Sequence, residues 1–238
     1  MDTAGLPNLL FTKRSIDKKI ISRYLDTLST YDFVDVIKIK QDPVQAFPLH
    51  DYSLIFTSVN GVEAFFANGF KPNERFTDRN YNRIYCVGQK TKNALRKFGY
   101  GTYKTMRNAQ QLREFITVES PSERFLHFCG NISLDVLTAG HVLQNIYYKK
   151  IVVYHTELLY PHYTSGFDAV VFFSPSGARS FLKNNSVSSK RVYAIGETTG
   201  KELLRLGISN GIWSPENSTE DLLGIIAKDL EANPIKRL

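Results

Sequence analysis

The chain repeats itself, and the repeat limits what it can fold into. Tyr52-Ser53-Leu54-Ile55-Phe56-Thr57-Ser58-Val59-Asn60-Gly61 is echoed by Asp168-Ala169-Val170-Val171-Phe172-Phe173-Ser174-Pro175-Ser176-Gly177. Arg83-Ile84-Tyr85-Cys86-Val87-Gly88-Gln89-Lys90-Thr91 is echoed by Arg191-Val192-Tyr193-Ala194-Ile195-Gly196-Glu197-Thr198-Thr199. The separation between copies changes by eight residues from the first block to the second, so the loop between the blocks differs in length. Each block is a short apolar run ending in Ser, Thr or Gly before a helical pattern, the mark of a strand–turn–helix unit. The duplication predicts an α/β protein of two similar parallel-sheet βα domains facing one ligand.

Strands and helices alternate along the whole chain. Residues 8–12 read as a first strand. Residues 16–28 read as a helix with Ile20, Ile21, Tyr24, Leu25 and Leu28 on one stripe. Strands follow at 34–39, 54–56 and 84–87, with helices at 59–68, stopping at Asn68-Gly69, and at 91–98, ended by Gly99. Residues 71–82 are polar and read as a surface loop. The pattern restarts with strand 124–128, helix 133–144 and strands 151–154 and 170–173. Helix 175–183, strand 192–195 and helix 199–206 come next. Ser218-Thr219-Glu220-Asp221 forms a capping box for the last helix, and Asn108-Ala109-Gln110-Gln111 is its weaker copy. Each copy has room for one more strand before its last helix.

Composition narrows the partners. Apolar residues make up 42% of the 238, enough for two cores, and the net charge of +7 favours an anionic partner. The basic residues are scattered, with no run, basic helix or helix-turn-helix pattern that would read as nucleic-acid binding. Cys86 and Cys129 stand alone, and the five histidines include no HxH or HExxH, so no metal is expected. Two lone cysteines fit a reducing cytoplasm. No signal-peptide core or membrane-length apolar run is present, so no membrane partner is expected. His50, His127 and His155 belong to no motif and read as surface or strand-end residues. No nucleophile elbow, P-loop or dinucleotide fingerprint appears.

The chemistry is expected at the turns after the strands, because open parallel sheets bind ligands beyond the carboxyl ends of their strands. Ser174-Pro175 sets a helix cap with proline at the first helical position, and the amides of Ser176 and Gly177 are expected to be unpartnered there. Thr57-Ser58-Val59-Asn60-Gly61 offers the same device. Gly196-Glu197-Thr198-Thr199, Gly88-Gln89-Lys90-Thr91 and Ser218-Thr219 add three more. Such helix starts hold carboxylates or phosphates. The same residues also serve as plain helix caps, and residue type alone leaves both readings open. Tyr154 ends an apolar strand, where residue type favours a boundary aromatic over a catalytic one.

Taken together, residues 54–66, the Gly88 turn, Val152-Val153-Tyr154-His155-Thr156, Phe172-Phe173-Ser174-Pro175-Ser176-Gly177, Ala194-Ile195-Gly196-Glu197-Thr198-Thr199 and Asn217-Ser218-Thr219 resemble the uroporphyrinogen-III synthase family. The resemblance spans nearly the whole chain. It implies a cofactor-free, monomeric lyase that takes the linear tetrapyrrole hydroxymethylbilane, removes water, inverts ring D and closes the macrocycle. The eight carboxylates of that substrate agree with the basic charge and the anion-binding turns. The resemblance also implies a discontinuous domain, 1–37 plus 155–238, and a second domain, 39–153, joined by two crossing strands around a cleft.

Residue by residue, the resemblance gives Tyr154 the catalytic position, assisting departure of the hydroxyl. It gives substrate contacts to Thr12, Thr57, Ser58, Asn60, Gly61, Gly88, Thr91, Ser174, Ser176, Gly177, Gly196, Thr198 and Thr199. The sequence departs from the family at Glu197, where proline is usual and a carboxylate would repel the substrate. It departs again at Cys129-Gly130, where Arg-Gly is usual. Lys13, Arg14, Lys90, Arg179 and Lys201 are candidates to steer the substrate. The competing reading is a non-catalytic two-lobed binding protein for a small polyanion, which would have no use for a tyrosine at Tyr154.

Overall fold

The computed structural model describes residues 5–133, 137 and 146–235. The chain runs through β1 (Asn8–Phe11), α1 (Lys18–Leu25), β2 (Thr30–Phe33), β3 (Ile37–Gln41), β4 (Ser53–Phe56) and α2 (Val59–Ala67). It continues with β5 (Ile84–Val87), α3 (Gln89–Lys97), β6 (Lys104–Met106), α4 (Ala109–Glu119), β7 (Phe125–Gly130) and β8 (Tyr148–Leu158). It ends with β9 (Ala169–Phe172), α5 (Pro175–Leu182), β10 (Arg191–Ala194), α6 (Glu197–Arg205), β11 (Gly211–Trp213) and α7 (Thr219–Ala232).

Two compact units result, Met1–Lys38 with Glu157–Leu238 and Ile39–Thr156, and their boundaries fall inside β3 and β8. One sheet has the order β11-β10-β9-β1-β2 and the other β3-β8-β7-β4-β5-β6. Every pairing from β11 to β2, and every pairing from β8 to β6, is parallel. Read from β11 and from β6, the orders correspond strand for strand: β9 to β4, β10 to β5, β1 to β7 and β2 to β8. The duplication in sequence is thus a duplication in topology.

Strands covered on both faces must be apolar throughout, because no face meets water. In the first unit, Leu9 and Phe11 of β1 pack with Ile21 and Leu25 of α1 and with Leu222, Leu223 and Ile226 of α7. Leu10 points the other way, to Ala178 and Phe181 of α5 and Leu203 of α6. In the second unit, Leu54, Phe56, Leu126 and Phe128 pack with Val62 and Phe65 of α2 and Leu95 of α3. Ile55, Tyr85 and Phe125 meet Leu112 and Ile116 of α4 on the opposite face.

The structure corrects several readings of the sequence. Residues 34–39 are not one strand. The ladder with β1 is made earlier, by Thr30-Tyr31-Asp32-Phe33, and β3 begins only at Ile37. Asp32 hid β2, since it breaks the apolar run; its carboxylate accepts from Asn8 Nδ2 and the Tyr163 hydroxyl. Strand β8 is eleven residues long, longer than 151–154, because Lys149 and Lys150 interrupt the apolar signal without interrupting the ladder. The extra strand before each last helix is present as β6 and β11. The helix read at 133–144 lies, apart from residues 133 and 137, outside the described residues.

Helix α2 lies unusually close to β7. A Cβ built on Gly61 would stand 2.7 Å from the Phe128 carbonyl oxygen, a backbone atom that cannot swing away. Gly61→Ala is therefore expected to push α2 off the sheet and cost about 1–3 kcal/mol. Thermal unfolding checks this, and an unchanged melting temperature would contradict the close approach.

Candidate active site

The carboxyl end of β4 sets the first part of the site. After Phe56 the chain stays extended through Ser58 (φ −152°, ψ 153°), whose side chain caps α2 by accepting from Gly61 N–H at 3.0 Å. The same Ser58 Oγ lies 3.1 Å from the Tyr154 hydroxyl, brought in by β8. Tyr154 pairs with Gly130 where the β7–β8 register shifts, between Cys129 and Gly130. Glycine at 130 lets the Tyr154 ring lie against the β7 backbone: a Cβ there would stand 2.5 Å from the ring and displace it. Burial raises the Tyr154 pKa, and the hydrogen bond with Ser58 opposes that rise. The phenol therefore keeps its proton at neutral pH.

Beside this pair lies a residue that sequence reasoning misplaced. His127 is neither on the surface nor at a strand end; it sits in the middle of β7 and is 1% exposed. Its Nε2 is 2.9 Å from Thr57 Oγ1 and its Nδ1 is 2.6 Å from the Tyr148 hydroxyl. Burial first, and the Lys150 ammonium second, push its pKa down to about 3, so it is neutral. The signal was present in Phe125-Leu126-His127-Phe128, since a residue inside such a run in a doubly covered sheet is buried whatever its type.

The remaining residues named from the sequence occupy neighbouring strand ends of one sheet or the other. Asn60 stands in the first turn of α2, half-buried. At β5, beside β4, Gly88 turns with φ 84° and gives α3 no side-chain cap, and Thr91 is buried. In the first unit, Ser174 caps α5 by accepting from Gly177 N–H at 3.0 Å and lies 3.2 Å from Ser176 Oγ. The Gly177 amide, read as unpartnered, is thus spent on the cap, as is that of Gly61. The amides without an intrahelical acceptor are those one and two positions earlier, Val59 and Asn60 in α2 and Ser176 in α5. Gly196 opens α6 tightly against the Asn217 side chain, with Thr198 exposed and Thr199 buried. Thr12 follows β1 and is 4% exposed, its hydroxyl donating to the Val171 carbonyl at 2.8 Å.

The charges are more tied down than the sequence indicates. Glu197 pairs with Lys201 at 2.7 Å, which offsets the carboxylate in that turn. Arg179 pairs with Glu202 at 3.0 Å, and Arg14 with Asp35 at 3.3 Å. Lys90 is exposed at the start of α3. Among the described residues, no three His, Cys, Asp or Glu side chains are grouped to hold a metal ion. No described helix is long and apolar enough to cross a membrane.

Residues 32–224 match the family model of uroporphyrinogen-III synthase HemD. The chain belongs to this family. Its members are cyclising hydro-lyases of porphyrin biosynthesis. Among solved structures, uroporphyrinogen-III synthetase from Helicobacter pylori matches at TM-score 0.65 and 18% identity, over 94% of this chain and 99% of that one. A triple mutant of uroporphyrinogen III synthase from Thermus thermophilus matches at TM-score 0.65 and 14% identity, over 95% of this chain and 100% of that one. At such identities the likeness establishes the fold. No curated protein matches the chain in sequence.

The buried imidazole makes the family fold pH-sensitive here. Unfolded, His127 takes up a proton near its ordinary pKa of 6.5; folded, it stays neutral down to about 3. Its contribution is complete above pH 6.5 and is lost progressively as the pH falls toward 3. Wild type is expected to lose about 2 kcal/mol more than His127→Phe between pH 7 and pH 5. Denaturant unfolding at the two pH values checks the difference, and equal losses would show that His127 is protonated in the fold.

Proposed function

We propose that this member of the family converts hydroxymethylbilane to uroporphyrinogen III, with Tyr154 as the proton donor and the start of α2 as a carboxylate grip. The observation that carries the reading is the Ser58 hydroxyl, which accepts from the Gly61 amide and meets the Tyr154 phenol at 3.1 Å. One side chain thereby fixes the reactive group against the helix N-terminus. The amides of Val59 and Asn60 at that N-terminus suit a carboxylate.

In this reading the terminal C–O bond of the substrate breaks as the pyrrole nitrogen pushes electrons toward the carbon. The Tyr154 proton passes to the departing oxygen, which leaves as water. The carbon so freed bonds to the substituted α-carbon of ring D to give the spiro intermediate. The bond from that α-carbon to the methylene of ring C then breaks, and the methylene closes on the free α-carbon of ring D, whose displaced proton restores the Tyr154 phenol. A phenol with a raised pKa is a modest acid, so proton donation is the smaller part of the work. Orientation of the folded chain of four rings is the larger part, on the order of 7–11 kcal/mol for well-aligned groups. Thr12, Gly88, Thr91, Ser174, Ser176, Gly177, Gly196, Thr198 and Thr199 are assigned to that orientation, supported by their shared position at the carboxyl ends of strands. The division into 1–37 with 155–238 and 39–153 is part of the same proposal, and the compact contact units support it.

Wild type incubated with enzymatically generated hydroxymethylbilane is expected to give the type III isomer, resolved from type I after oxidation. Type I alone would refute the reading, and with it would return the binding-only alternative. Tyr154→Phe is expected to lower kcat by about a hundredfold or less while keeping type III as the product. Complete loss of turnover in a folded variant would show that proton donation outweighs orientation.

A further inference from the structure

We propose that His127 is a positioning residue for this site: its Nε2–H donates to Thr57 Oγ1 and so keeps the Thr57 hydroxyl proton available for a substrate carboxylate. The inference rests on the reading of Thr57 as a substrate contact.

A buried neutral imidazole has one donor nitrogen and one acceptor nitrogen, and both need partners. Here the partners are Thr57 Oγ1, 2.9 Å from Nε2, and the Tyr148 hydroxyl, 2.6 Å from Nδ1. A phenol is a good donor and a poor acceptor, and an unprotonated imidazole nitrogen is a strong acceptor. The short Tyr148 contact is therefore O–H to Nδ1. That leaves the proton of His127 on Nε2, pointed at Thr57. A threonine hydroxyl that accepts in this way keeps its own proton to give. Thr57 directly precedes Ser58, so this donor joins the amides of Val59 and Asn60 at the start of α2. With the opposite tautomer the Thr57 proton would be consumed by His127.

The other half of the molecule shows that the fold does not need this polar pair. By the strand correspondence and the registers, His127 answers to Phe11, Thr57 to Phe173 and Tyr148 to Tyr31. Phe11 and Phe173 stack with ring centroids 6.2 Å apart, and Tyr31 meets Phe11 edge-on at 6.1 Å. One copy fills these three positions with an aromatic cluster, and the other fills them with a hydrogen-bonded chain. Where one copy has the stacked phenylalanines, the other has a histidine and a threonine that bond to each other. A packing role alone is met by the phenylalanines, so the polar version answers to the ligand.

The test combines the tautomer with a mutant cycle. Nitrogen-15 NMR of the whole protein is expected to show His127 as the Nε2–H tautomer. Thr57→Val and His127→Phe are each expected to raise KM about tenfold with kcat nearly unchanged. The double variant is expected to be no worse than either one. Should His127→Phe fail to fold, Tyr148→Phe keeps the imidazole and removes the group that fixes its tautomer; it is expected to raise KM and to lose the Nε2–H signature. An Nδ1–H tautomer in wild type, or a His127→Phe penalty undiminished in the Thr57→Val background, would overturn the inference. If wild type forms no type III product, the functional reading fails and the role toward a carboxylate falls with it, while the NMR measurement still decides the direction of the hydrogen bonds.

Discussion

Two close approaches to the β7 backbone, each made at a glycine, control the geometry of the second unit. At the first, the α2 backbone comes down on the Phe128 carbonyl, and Gly61 is the residue that lets it. At the second, the Tyr154 ring lies on the backbone of Gly130. Both contacts refer to one strand, so the helix start and the phenol share a common base. Ser58 then closes the distance between them with a single oxygen. The rest of the core, from Phe56 and Phe65 to Phe128, serves to hold that base rigid.

The two halves keep the same frame and differ at the residues beside their helix caps. Ser174 caps α5 as Ser58 caps α2, with matching 3.0 Å bonds to the third amide. Gly177 is again crowded, this time by Val36 at 3.0 Å. Among the described residues, no phenol meets the Ser174 hydroxyl; its neighbour is Ser176. The second unit thus sets a phenol beside its helix cap, and the first sets a serine there. Such a difference is what duplication allows, since the shared frame holds while the residues beside the caps diverge.

Much of this was legible in the chain, because both sheets are buried on two faces and their strands stand out as apolar runs. The turns were legible through Ser174-Pro175 and Thr57-Ser58, whose caps follow from local chemistry. Polarity inside strands was the obstacle. Asp32 concealed β2, and the lysines at 149 and 150 shortened β8. The burial of His127 was legible in its apolar run, but nothing in its neighbourhood names Thr57, seventy positions away, as its partner. Tyr154 stood out only through the family resemblance, since its contact with Ser58 spans ninety-six positions. The Gly177 amide was read as unpartnered, whereas the Ser174 cap already holds it.

The position of the unit boundaries inside β3 and β8 has a consequence for synthesis. Strand β1 needs β2 on one side and β9 on the other, and Leu9 meets Ala169 only after most of the chain has been made. Residues 39–156, by contrast, form a unit from one continuous stretch of chain. On a ribosome the inner unit is free to close while the outer one waits with an unpaired strand edge, exposed to mispairing for as long as the remaining half takes to emerge. Completion of the outer sheet is then the late event, and any pause in elongation between 40 and 169 lengthens the period in which this protein is prone to aggregate.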